Sequence, residues 1–74
     1  MMVTKFIIQM TMLCRPDLEY FYAGQNKDGC PVFELKKAKS KRYNSAEEAD
    51  RAMRILSAVS KGQTFKVSTV RCRA

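Results

Sequence analysis

The sequence predicts a small α+β domain: a mostly antiparallel sheet with one helix packed on one face, in the order β-β-β-α-β. Three observations predict it. The N-terminal segment alternates apolar and polar residues with period two. Turn-forming residues sit between two short apolar runs, and one capped segment repeats its apolar positions at helical spacing. The chain has 74 residues and 46% hydrophobic content, which fits one domain over residues 1–74 with enough apolar surface to fold. A domain of this size has about 3–5 kcal/mol of stability to lose and no room for a deep pocket.

Phe6, Ile8, Met10 and Met12 fall on one side of the first segment, with Lys5, Gln9 and Thr11 on the other and Ile7 joining them, which predicts a strand with one buried face. Arg15-Pro16-Asp17 is expected to end it, because proline lacks a ladder donor and restrains the residue before it. Tyr20–Ala23 reads as a second strand and Pro31–Leu35 as a third, joined through Gly24-Gln25-Asn26-Lys27-Asp28-Gly29 as a hairpin. Residues 36–42 are too polar for the core and form a basic connection.

Ser45-Ala46-Glu47-Glu48 has the form of a capping box, in which the serine hydroxyl takes the backbone N–H three residues on and Glu48 reaches back. The helix it opens carries Ala46, Ala49, Ala52, Met53, Ile55, Leu56 and Val59 on one half of its wheel, and Glu47, Asp50, Arg51, Arg54 and Ser57 on the other. Lys61-Gly62 ends it. Residues 64–73 give a last strand whose apolar phase shifts from Phe65 and Val67 to Val70 and Cys72, which predicts a bulge near Ser68-Thr69. Strand three and the last strand can then be joined through the helix as a right-handed parallel crossover, with strand order left open. Phe6, Ile8, Met10, Ala49, Met53, Leu56 and Phe65 are expected to share one core.

Several function classes are excluded by what is missing. The chain has no His, so a Ser-His or Cys-His couple and a His-bearing zinc site cannot be written. Its glycines, Gly24, Gly29 and Gly62, make neither a dinucleotide fingerprint nor a phosphate-cradling loop. Asp17, Glu19, Asp28, Glu34 and the acids of the helix start are read as capping and solubilising groups, not as an acid-base pair. No enzyme, no cofactor and no metal site are expected. The N-terminal segment lacks an unbroken apolar stretch, which argues for a cytoplasmic protein without a membrane partner. Cys14, Cys30 and Cys72 are odd in number and widely spaced, as suits reduced thiols, with Cys14 read as a buried one. With strand directions alternating and the crossover in place, Cys14 and Cys72 are expected at one end of the sheet and Cys30 at the other.

Charge is the strongest functional signal. Net charge is +7, Lys36, Lys37, Lys39, Lys41 and Arg42 are clustered, and from Arg51 onward no acid occurs. Together with Arg51 and Arg54 these residues form a candidate phosphate-binding surface, set against the plainer reading of a solvated loop. Glu47 with Arg51 and Asp50 with Arg54 are spaced to pair along the helix and offset part of the charge. Tyr20 and Tyr22 are candidates for stacking on unpaired bases, although the Tyr20-Phe21-Tyr22 run has to split across both faces of a strand.

The run Tyr20–Gly24, Asp28–Phe33, Lys37-Ala38, Tyr43–Ser45 and Glu47–Ala49 resembles small proteins encoded by phages and prophages, many of which share a hairpin followed by an aromatic-Ser-Glu-Glu-Ala entry into a helix. The resemblance spans about residues 20–59. It implies a small accessory protein of a mobile element, a group whose members often bind and block host machinery, anti-CRISPR proteins included. Many of those inhibitors are acidic and this chain is basic, which argues against nucleic-acid mimicry. Two readings follow: a modulator that binds a host protein or nucleoprotein complex, and a module that binds nucleic acid directly through the basic connection. A homodimer is compatible with either.

Overall fold

The fold is described by a computed structural model, residues 1–73. β1 (Met2–Met12) turns at Leu13-Cys14 into β2 (Arg15–Gln25), and β3 (Pro31–Glu34) follows. A single 3-10 turn, Lys37–Lys39, then leads to α1 (Ala46–Val59) and β4 (Gln63–Arg73). The sheet runs β3-β2-β1-β4 with every neighbour antiparallel. The α+β class and the element order are therefore those the patterning predicts.

The parallel crossover does not form. β3 and β4 lie at opposite edges and run in opposite directions, and α1 carries the chain from one edge to the other. The reason lies in β1, whose free side offers β4 eleven register partners from Met2↔Arg73 to Met12↔Gln63. β3, only four residues long, offers far less. That same register is unbroken, so the bulge expected at Ser68-Thr69 is absent. The phase shift instead changes which face carries the apolar side chains: Phe65 and Val67 share the face of Met10 and Ile8, and Val70 and Cys72 share the face of Lys5 and Val3.

Pro16 does not end a strand; it is the second residue of β2. Arg15 pairs with Met12, after the register shift that follows Met10. Arg15 therefore bonds to β1, and the missing N–H of Pro16 falls on the outer side, beyond the reach of β3. The second hairpin turns as its composition predicts. Asn26 Oδ1 accepts from the backbone N–H of Asp28 at 2.9 Å and of Cys30 at 3.0 Å, and Gly29 takes φ +79°. Gly24, at φ +108°, sits where the β2–β3 register shifts, a backbone conformation that favours glycine.

Ser45 caps α1, its Oγ accepting from Glu48 N–H at 3.2 Å, while the return bond from the Glu48 carboxylate is not formed. The helix lies on β4 and β1. Ile8, Tyr22 and Leu56 form the centre of the core, with Phe33, Tyr43, Ala52, Met53 and Phe65 packed around them and Met10 and Ala49 also buried. Phe33 bridges the aromatic side of the core, its ring centroid 5.8 Å from Tyr22 and 6.3 Å from Phe65. Phe6 stands outside this cluster and is only half-buried.

The first strand buries both faces at its middle, not one: Ile7 and Gln9 are as enclosed as Ile8 and Met10, and Phe21 opposite Gln9 is buried too. The Gln9 amide oxygen keeps a partner, with Ser68 Oγ donating to Oε1 at 3.0 Å. α1 covers the Ile8 and Met10 side, and on the other side the neighbouring strands bring side chains against β1, Phe21 opposite Gln9 and Ser68 opposite Ile7.

The thiols depart from expectation as well. Cys14 is exposed at the turn beyond Met12, whereas Cys72 pairs with Val3 at the far end of the sheet. Cys30, which precedes Pro31 opposite Gln25, lies at the Cys72 end. The error follows from the crossover: with β4 antiparallel to β1, its last residues return to where β1 begins.

Candidate binding groove and basic surface

Between Phe6 and Tyr22 the first two strands part, and the end of the basic connection fills the gap. Lys41 N–H donates to Tyr22 C=O at 2.8 Å, and Phe6 and Tyr43 exchange both backbone bonds at 2.9 and 2.8 Å. Lys5 Nζ further ties this segment down by donating to Asn44 Oδ1. The sequence enters the sheet here because Lys41 and Tyr43 supply donors and acceptors that the diverging strands would otherwise leave unpaired. One consequence is that Tyr43 is fixed beside the core, in front of α1.

The space between this segment and the helix is a shallow groove of about 300 Å3 lined by Tyr22, Gln25, Lys41, Tyr43, Ala52, Ile55 and Leu56. Its wall is apolar along α1 and aromatic along the sheet. Ile55 is 63% exposed there although its helical position predicts burial, and Val59, one turn on, is 72% exposed. The helix tilts its Ala49–Leu56 row onto the sheet and leaves the Ile55–Val59 row outside. Lys41 Nζ stands 5.5 Å from the centre of the Tyr43 ring, a cation against a π face. Burial pushes the Tyr43 phenol above its usual pKa, and the neighbouring Tyr22 phenol adds to this. A phenol is neutral at physiological pH in any case, and here burial holds its proton further into the alkaline range. An apolar shelf, a neutral phenol and one ammonium suit an apolar or aromatic side chain with a carboxylate beside it.

The residues named from the sequence are not gathered at this groove. Lys36, Lys37, Lys39, Lys41 and Arg42 are all exposed along the connection, and Lys41 alone of them lines the groove. Arg51 and Arg54 line a separate furrow of about 310 Å3 on the outer side of α1 with Glu47 and Asp50. Of the two helix pairs, only Arg54 Nε to Asp50 Oδ2 forms, at 2.9 Å. Both groups are open to water there, which makes the contact worth little. Tyr22 is 6% exposed and packed on Phe33, so its ring offers no open stacking face, and Tyr20 is half-buried.

Gln25, Tyr43, Ala52, Ile55 and Leu56 are the groove residues that spacing alone did not single out as a site. Tyr43 directly after Lys41-Arg42 is the one signal that could have shown it. Among the described residues no group of three or more Cys, Asp or Glu could hold a metal, and no helix is long and apolar enough to cross a membrane. No family model matches the chain, and no curated protein or solved structure matches it significantly.

Proposed function

We propose that this chain is a non-enzymatic binding protein that docks on an acidic surface of a host protein or nucleoprotein complex in the cytoplasm and modulates or inhibits it, as members of the group it resembles often do. The observation that carries this reading is the groove beside α1, where an exposed Ile55, the Tyr43 ring and the Lys41 ammonium converge. Apolar and aromatic anchors with one cation at their edge are the composition of interface hot spots, and the surrounding cations steer an acidic partner toward them. Affinity capture from bacterial lysate with and without nuclease tests it. The parent is expected to retain one specific protein after nuclease, and Ile55→Asp, which places a carboxylate on an already exposed position, is expected to lose it while melting like the parent. Equal capture by parent and variant would overturn the groove as the contact.

A second reading, direct contact with nucleic-acid phosphates, is favoured by the exposed Lys36, Lys37, Lys39, Lys41 and Arg42, in whose stretch no acid occurs. It predicts loss of the captured material on nuclease treatment.

A further inference from the structure

The two edges of the sheet are finished differently. β3 is four residues long and begins with Pro31, and the β2–β3 register is interrupted at Gly24, all devices that discourage a further strand. β4 at the other edge is eleven residues long, free of proline, and in unbroken register with β1. Its composition, with Thr64, Phe65, Val67, Thr69 and Val70, suits extended backbone.

The hydrogen-bond pattern identifies which β4 groups face outward. Phe6 bonds to Tyr43 on the β2 side, so the even-numbered residues of β1 turn their N–H and C=O toward β2 and the odd-numbered ones toward β4. The Leu13 N–H to Gly62 C=O bond of 3.0 Å, at the end of the same ladder, agrees. Thr64, Lys66, Ser68, Val70 and Cys72 therefore bond to β1, and Phe65, Val67, Thr69 and Arg71 present their backbone groups to the open side.

We propose that the β4 edge receives an extended acidic segment of a partner protein, which adds as a fifth strand beside Phe65, Val67, Thr69 and Arg71. The charge of the edge selects the occupant. Lys66, Arg71 and Arg73 lie on β4 and no acid does. A second copy would bring these cations together between two chains of net charge +7 each, whereas glutamates on an incoming strand would stand beside them as cross-strand pairs. This inference rests on the reading that the chain binds a protein, but on a different surface from the groove.

The test uses two capped peptides, one alternating glutamate and valine and the other lysine and valine, titrated into the full chain at low salt with the backbone amides followed by NMR. The glutamate peptide is expected to shift and protect the amides of Phe65, Val67, Thr69 and Arg71, and the lysine peptide is expected to leave them unchanged. Thr69→Pro removes an outward donor and no ladder bond, so it should fold and bind the glutamate peptide about tenfold more weakly. Lys66→Glu with Arg71→Glu, which leaves the backbone untouched, should exchange the preference to the lysine peptide. Ile55→Asp should bind the peptide like the parent, which separates failure at the edge from failure at the groove. The proposal is overturned if the glutamate peptide leaves those amides unmoved up to about 1 mM, if both peptides act alike, or if the same amides are already protected in a concentration-dependent way by a second copy.

Discussion

Tyr43 does three things at once: it pairs its backbone with Phe6 where β1 parts from β2, packs its ring against the core, and stands at the groove. Its raised pKa ties groove to stability with a definite sign. The unfolded chain releases the phenolic proton near pH 10, before the folded chain does. Stability from this group is therefore intact below that pH and falls as pH rises from there through the folded value. Tyr43→Phe should show a shallower loss of stability between neutral and strongly alkaline solution than the parent, measured by urea unfolding at both. An identical slope would mean that the phenol is free to ionise in place. The groove was only partly legible in the sequence for a related reason. Lys41 stands out because charge is visible in composition, but Tyr43, Gln25 and Ile55 come together through a strand divergence at Tyr22 that no local pattern records.

At the scale of elements, α1 is held by few contacts of high consequence. Leu56 is 6% exposed at the centre of the core, and truncating such a side chain costs about 2–5 kcal/mol, comparable to the whole stability of a domain this small. Leu56→Ala is expected to be largely unfolded at room temperature by circular dichroism; a cooperative melt within a few degrees of the parent would contradict the packing. The helix itself was readable, since Ser45 and the alanine-rich face are local signals, and so was the Asn26-centred hairpin. What could not be read was which elements become neighbours. The phase shift in β4 looks like a bulge when the strand is taken alone, and becomes a change of covered face once β1 is beside it. Pro16 looks like a strand end until the outer side of β2 is seen to lack a partner there. The exposed Ile55 and Val59 belong to the same class, because a wheel ranks positions by apolarity and the tilt of the helix decides which row touches the sheet.

Over the whole molecule the excess of cations is spread along the connection, the outer side of α1 and β4, and does not form one patch. Neutralising Lys36, Lys37, Lys39, Lys41 and Arg42 to Gln leaves the core intact, so the variant should fold. If the connection touches phosphates, it should bind unrelated duplexes more weakly and flatten the salt slope by roughly 0.9 per lost contact. If it steers a protein partner, association should slow and dissociation hardly change. A parent chain that binds no duplex at about 50 mM salt would leave the protein-binding reading alone. The pairing of Met2 with Arg73 also sets the order in which the chain can become a protein. As it leaves a ribosome, the β1–β2–β3 meander can form early. Ile8 and Met10 still lack α1 and Phe65 until β4 has emerged, and the ladder on the free side of β1 joins the earliest of the four strands to the latest. Closure is thus one late event linking β1 to β4, and it places this domain with the slower small folders, whose nascent form exposes the central strand until β4 has been made.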